Sequence, residues 1–130
     1  MNEAFETVTR GIRITVQPEY MPERSDPATG SFLFAYHITI RNEGSVPVKL
    51  VSRHWIITDG SGKQEQVRGP GVVGEQPHLR PGEGFRYTSA CPLPTPVGSM
   101  HGSFQMVTDT GEAFDALIEP FTLAPPGTLH

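Results

Sequence analysis

The stretch SRHWIITDGSGKQEQVRGPGVVGEQP, residues 52–77, decides the fold of this chain. It begins with an apolar segment that carries the only tryptophan, Trp55, and reaches Asp59-Gly60, a pair that tolerates the positive φ angles of a tight hairpin turn. The polar segment Lys63–Arg68 then runs back, and a glycine-rich loop follows it. This order predicts a β-hairpin made of a core strand and an edge strand, because charged side chains discourage aggregation at a sheet edge.

Alternation of apolar and polar residues continues on both sides of this hairpin and predicts further strands. The register of the core strand changes near Ser52-Arg53, where a β-bulge would reconcile the two patterns. Residues 17–31 contain three prolines and show no period, so we predict a long, mobile loop there. The predicted strands are residues 8–16, 32–41, 46–58, 63–68, 85–91, 99–107 and 112–123.

About seven strands separated by turns, with no segment of helical period, favour an all-β, immunoglobulin-like or fibronectin type III-like β-sandwich. A small β-barrel is the alternative. We expect residues 1–130 to form a single domain with its core at about residues 8–124 and flexible termini. The lone Cys91 excludes an intrachain disulfide and the paired cysteines of an antibody domain.

The composition limits the possible functions. A formal net charge of -4 and a sequence pI near 5.7 argue against a sequence-independent grip on nucleic-acid phosphates. The apolar runs are far shorter than the roughly 20 residues of a membrane helix, and the first residues lack the basic and apolar regions of a signal peptide. We therefore expect a cytoplasmic protein that neither binds nucleic acid nor inserts into a membrane.

The loop at residues 69–74, GPGVVG, spells the G-x-G-x-x-G fingerprint of dinucleotide-binding proteins. That motif works only where a helix follows an apolar strand, whereas here the preceding strand is charged and Pro77 opposes a helix. We therefore interpret the glycines as a shaped turn. An anion-binding nest of successive amides is the alternative, although Glu75 would repel an anion.

The histidines and serines offer only weak metal or catalytic sites. Ser52 with His54, and Ser99 with His101, are two residues apart on predicted strands, but no G-x-S-x-G elbow accompanies either pair. His54 and His78 are weak metal candidates that would meet only if the intervening loop folded back over the strand. The five histidines are His37, His54, His78, His101 and His130.

Long blocks of the chain resemble the bacterial ApaG family. The blocks are SRHWIITDGSG (52–62), VRGPGVVGEQP (67–77), LRPGEGFRYTSA (79–90), TPVGSMHGSFQMV (95–107) and GEAFDALIEPFTL (111–123). The resemblance implies an all-β sandwich and a family linked by name and genetics to cobalt resistance and magnesium efflux. The same domain is appended to eukaryotic F-box and DNA-polymerase-interacting proteins, which implies a binding module. Family members usually carry an acidic residue where this chain has Pro70, which stiffens the loop and removes a donor.

Together these features predict a non-enzymatic module that binds a protein partner and needs no cofactor. The alternatives are divalent-metal binding through His54 and His78, and phosphate or nucleotide binding at the glycine loop. An edge strand would also allow a homodimer to form. The predicted contact surface consists of Arg53, His54, Arg68, Gly69, Gly71, Gly74, Glu75, Gln76 and Arg80.

Overall fold

The computed structural model describes residues 4–127, and this part of the chain forms nine strands and two 3-10 turns. The strands are β1 (Phe5–Thr9), β2 (Ile12–Tyr20), β3 (Phe32–Asn42), β4 (Val48–Asp59), β5 (Gln64–Pro70), β6 (His78–Leu79), β7 (Gly84–Leu93), β8 (Gly98–Thr108) and β9 (Ala113–Leu123). The 3-10 turns are η1 (Pro22–Arg24) and η2 (Pro27–Thr29). His130 and the outermost parts of the predicted flexible termini lie outside the described residues. Within residues 4–127 no helix has the length and hydrophobicity needed to cross a lipid bilayer.

The strands form two antiparallel sheets, which confirms the predicted β-sandwich. One sheet has the order β1-β2-β3-β7, and the other has the order β5-β4-β8-β9, with the short β6 also pairing with β4. The strand count differs from the predicted seven because one predicted strand is a hairpin and β6 was not predicted.

Trp55 occupies the centre of the core between the two sheets. Its side chain is 3% exposed, and its ring centroid lies 5.5 Å from that of Tyr36, 6.1 Å from that of Phe104 and 6.0 Å from that of Phe121. Tyr36 comes from the first sheet and the two phenylalanines come from the second, so the tryptophan joins both layers. Such edge-to-face aromatic contacts stabilise a core beyond the burial of area alone.

The predicted strand at residues 8–16 is wrong, because the structure divides it into β1 and β2. The two strands pair with each other through a tight turn in which Arg10 has φ 49° and Gly11 has φ 81°. Val8 faces outward and is 49% exposed. Because it is apolar, it extends the alternating sequence pattern across the turn, and the break between the two strands was therefore missed. Arg10, the one charged residue among the even-numbered positions of this segment, marks that turn.

The predicted long loop at residues 17–31 is also wrong. β2 continues to Tyr20, which pairs with Phe34, and the chain then makes the turns η1 and η2. Each turn begins with a proline, whose fixed φ suits the first position of a helical turn. Proline therefore shapes this segment instead of leaving it irregular.

The hairpin of β4 and β5 is confirmed, and β5 lies at a sheet edge as predicted. The predicted bulge is also present, but the register of β4 against β8 shifts between Leu50 and Ser52 instead of at Ser52-Arg53. The extra residue is Val51, which has no partner in either neighbouring strand. This bulge is the point to which the glycine loop is attached.

Candidate functional site

The glycine loop is a second, very small hairpin, which we call the tip hairpin (residues 71–76). Val72 and Glu75 exchange two backbone hydrogen bonds, with N···O distances of 2.8 and 2.9 Å. Val73 and Gly74 connect them with φ angles of 43° and 80°, as in a type I′ turn. The predicted shaped turn therefore has a defined geometry.

The tip hairpin is fixed to the bulge of β4. The carbonyl oxygen of Val51 accepts a hydrogen bond from the Gly71 amide at 2.9 Å and another from the Gln76 side-chain amide at 2.8 Å. Just beyond the tip hairpin, the Leu50 amide donates to the Pro77 carbonyl at 2.9 Å. A bulge leaves its extra residue outside the strand ladder, and here the free carbonyl holds the loop.

Arg53 also holds this loop instead of presenting itself for recognition. Its Nη1 donates to the carbonyl oxygens of Pro70 and Gly71, both at 3.0 Å. Its guanidinium lies against Gly69, where an added Cβ would be 2.8 Å from Nη2. Gly71 is required for a related reason, since its φ is 58° and an added Cβ would clash with the Glu75 carbonyl oxygen. The spacing of these glycines thus follows from the packing around Arg53 and Glu75.

Val73 is the feature of this site that the sequence interpretation missed. It is 55% exposed and has a positive φ of 43°, whereas the preceding Val72 is 1% exposed and belongs to the core. A left-handed backbone costs an L-residue about 1–2 kcal/mol, and β-branched residues tolerate it poorly. The sequence did contain one indication of this turn. Val73 precedes Gly74, at the turn position where asparagine or aspartate is favoured. The loop therefore presents an apolar side chain from a strained, firmly attached tip.

The other predicted surface residues occupy three separate places. Because side chains alternate along β4, Arg53 points towards the sandwich and His54 points to the outer face. On that outer face, His54 is paired in register with Arg68. The Nε2 atom of His54 lies 2.9 Å from Oε1 of Gln66. Arg80 follows β6 and forms an ion pair with Glu83 at 3.2 Å. Glu75 remains exposed on the tip hairpin. The structure thus brings Glu75 to the tip, but places His54 and Arg68 on a neighbouring face and Arg80 elsewhere.

The two histidines proposed as metal ligands are not brought together. His78 pairs with Lys49, which is five residues from His54 along β4, or about 17 Å in an extended strand. The Nε2 of His78 lies 2.9 Å from Oδ1 of Asp109. Residues 4–127 contain no cluster of three or more histidine, cysteine or acidic residues that could hold a metal ion.

Neither Ser52 nor the thiol of Cys91 is positioned as a nucleophile. The Ser52 hydroxyl donates to Oε1 of Gln105 at 2.8 Å and not to His54. Cys91 is buried, and this burial, followed by the nearby charge of Glu65, raises the pKa of its thiol to about 11. A thiol with so high a pKa is a poor nucleophile near neutral pH.

A hydrogen-bonded chain on the other sheet was not predicted. His37 Nε2 lies 2.9 Å from Oε1 of Glu19, and His37 Nδ1 lies 2.8 Å from Oγ1 of Thr88. These residues come from β2, β3 and β7, which are adjacent in the sheet but distant in sequence. The alternation of residues 32–41 puts His37 on the face opposite to Phe34 and Ile38, but only the strand order reveals its partners.

Two antiparallel sheets packed around one aromatic core place the chain in the class of β-sandwich domains. Comparison with known proteins then shows that it belongs to the ApaG family, since the model of the ApaG domain matches residues 22–108. The predicted family resemblance is thereby confirmed.

Relatives and a solved structure agree with this assignment over most of the chain. Protein ApaG of Anaeromyxobacter sp. (strain K) is 58% identical over 123 residues, covering 95% of this chain and 97% of the relative. Protein ApaG of Rhodospirillum centenum is 56% identical over 122 residues, covering 94% of each. A crystal structure from Bordetella pertussis, solved under the name ApaA, superposes with a TM-score of 0.88 at 48% identity, covering 95% of this chain and 98% of that chain.

Proposed function

We propose that this chain is a non-enzymatic, cytoplasmic binding module that inserts Val73 into an apolar pocket of a partner protein. The observation that carries this proposal is the combination of 55% exposure with a φ of 43° at a β-branched residue. Residues held in unfavourable backbone regions persist where the surrounding structure over-determines them, and they cluster at functional sites. An exposed valine that costs folding free energy is best explained by contacts made outside the fold.

The attachment of the tip hairpin supports a binding role. Val72 is anchored in the core, Gly71 and Gln76 are bonded to Val51, and Arg53 secures the carbonyl of Gly71. A loop that is already ordered loses little conformational entropy when it binds, so more of the contact energy appears as affinity. The hairpin is therefore a pre-organised anchor.

Charged groups on the tip hairpin and on the strand that leads into it would select the partner. Glu75 is exposed on the same hairpin, and Arg68 is exposed on β5, which leads into it. Charges around an apolar anchor contribute more to specificity and association rate than to affinity. We propose that Arg68 and Glu75 form the polar rim of the contact.

The hydrogen bonding of the loop argues against phosphate or nucleotide binding there. A nest binds an anion through free backbone amides. In the tip hairpin, the amides of Gly71, Val72 and Glu75 already donate to backbone carbonyls. We therefore place recognition on side chains and propose that the family's link to cobalt resistance and magnesium efflux operates through a protein partner.

The edge strand β5 offers a second route to association, because it lies at the end of its sheet and six of its seven residues are exposed. Unpaired backbone groups on such an edge can pair with a strand of another chain. We propose that the partner that pairs with this edge strand is a second copy of this chain. Light scattering of purified protein at increasing concentration distinguishes a dimer from a monomer.

The test is a pull-down from the native host with the wild-type chain and two matched variants. Val73→Asn removes the apolar tip and Val46→Asn removes another exposed valine, 39% exposed and outside the hairpin. A protein captured by the wild type and by Val46→Asn, but lost with Val73→Asn, supports the proposal. Equal capture of the same proteins by all three contradicts it. Circular dichroism verifies that each variant is folded.

A further inference from the structure

The outer face of the β1-β2-β3-β7 sheet contains a polar hollow that is separate from the tip hairpin. Its volume is about 500 Å³. The outward side chains around it are Gln17 from β2, His37 and Thr39 from β3, and Arg86 and Thr88 from β7. His37 is paired in register with Thr88, and Thr39 with Arg86. Two hydroxyl groups and one guanidinium are therefore neighbours on this face.

Within residues 4–127, the Arg86 guanidinium of the hollow has no carboxylate partner. Arg41, which is paired in register with Gly84 two positions further along, likewise forms no ion pair with any residue between 4 and 127. The carboxylate that faces His37 is Glu19, on the side of the ring opposite to Thr88. Just after the turn η1, the Ser25 hydroxyl accepts a hydrogen bond from the backbone amide of Leu33 in β3 at 2.9 Å.

The Glu19–His37–Thr88 chain determines where the proton of Thr88 points. Glu19 accepts the proton on Nε2 of His37, so a neutral imidazole presents Nδ1 as an acceptor and the Thr88 hydroxyl donates to it. A protonated imidazole donates from both nitrogens. The Thr88 oxygen then accepts from Nδ1, and its own proton turns towards the hollow.

We propose that this hollow binds a tetrahedral oxyanion of the sulfate or phosphate type, and that His37 takes up a proton when the anion binds. Arg86 and the hydroxyl groups of Thr39 and Thr88 contact the anion, while Glu19 and His37 are positioning residues. Guanidinium and hydroxyl donors suit such an anion, and hydrogen bonds to charged groups are the stronger ones. This inference is independent of the proposed protein-binding function.

The experiment uses sulfate, which keeps its charge throughout the pH range of interest. The wild-type chain is titrated with sulfate at about pH 5.5 and about pH 8, on either side of the usual range for histidine, at constant ionic strength. Saturable amide shifts are expected at Thr39, Arg86 and Thr88. We expect affinity to be about tenfold higher at the lower pH, since Thr88 gains a donor role. Calorimetry in two buffers of different ionisation enthalpy measures the proton uptake directly.

Variants separate the contact residues from the positioning residues. Arg86→Gln and Thr88→Val are expected to weaken binding at the lower pH by about tenfold each. His37→Gln should make the affinity the same at both pH values. Thr122→Val, at an exposed threonine of β9 in the other sheet, is the matched control and should bind as the wild type does.

Several results would overturn the inference. It fails if no saturable shifts occur at Thr39, Arg86 and Thr88 at either pH, if the wild type binds equally at both, or if His37→Gln retains the pH dependence. A titration with glycerol 3-phosphate identifies the source of the anion. Tighter binding of this monoester than of sulfate supports an organic phosphate, and equal binding supports the free ion.

Discussion

Replacing Val73 by asparagine should stabilise the protein while removing its apolar tip. Asparagine tolerates the left-handed backbone that Val73 adopts at φ 43°, so the change relieves a cost of about 1–2 kcal/mol. The valine is 55% exposed, so the burial that is lost contributes only about 0.5–1 kcal/mol. The net expectation is an increase of about 0.5–1 kcal/mol in the free energy of unfolding, or about 2–4 °C in Tm.

Urea unfolding followed by Trp55 fluorescence, together with a thermal scan by circular dichroism, measures this difference. Val46→Asn is the control, since Val46 is an exposed valine whose φ is not positive, and its effect should stay within about 0.5 kcal/mol. A Tm for Val73→Asn that falls by several degrees would refute the reasoning, because the valine would then stabilise the fold instead of straining it.

Three further predictions concern the attachment of the loop, the buried thiol and an exposed ion pair. Arg53→Leu should lower the free energy of unfolding by about 2–3 kcal/mol and speed hydrogen exchange at the Gly71 amide, because the loop loses two charge-assisted bonds; unchanged exchange would contradict this. Cys91, whose pKa is raised to about 11, should resist a thiol reagent at neutral pH until urea unfolds the chain, so rapid labelling of the folded protein would show that the thiol is accessible. The Arg80 side chain holds the pKa of Glu83 below its usual range, so their ion pair is present above the usual carboxyl pKa and is lost as pH falls through the lowered value. In Arg80→Gln, the midpoint of the Glu83 titration followed by NMR should move to higher pH. An unchanged midpoint would show that the ion pair with Arg80 is not what lowers the pKa of Glu83.

Much of the sandwich could be predicted from sequence because its strands obey the period-2 alternation and its central hairpin carries an Asp-Gly turn. The hairpin of β4 and β5 and the edge position of β5 followed directly from these patterns. The turn at Arg10-Gly11 was missed because the exposed Val8 continued the apolar pattern across it. Residues 17–31 were misinterpreted because the prolines there shape 3-10 turns instead of an irregular loop.

The candidate site was only partly predictable, because its geometry depends on contacts between distant residues. The sequence indicated that the glycine loop was a shaped turn, but the role of Gly69 depends on the Arg53 side chain lying across it. Likewise, the backbone angle of Val73 follows from the two-residue turn that closes the pairing of Val72 with Glu75. The partners of His37 required knowledge of the strand order.

The most direct test of the binding role is photo-crosslinking in the native host with benzoylphenylalanine in place of Val73. A second chain carrying the same residue in place of Val46 is the control, because both positions are exposed. The proposed function predicts one discrete adduct of the chain with a partner protein from position 73, and none from position 46. Light-dependent adducts that are absent at position 73, or that are the same at both positions, would contradict recognition through the tip hairpin.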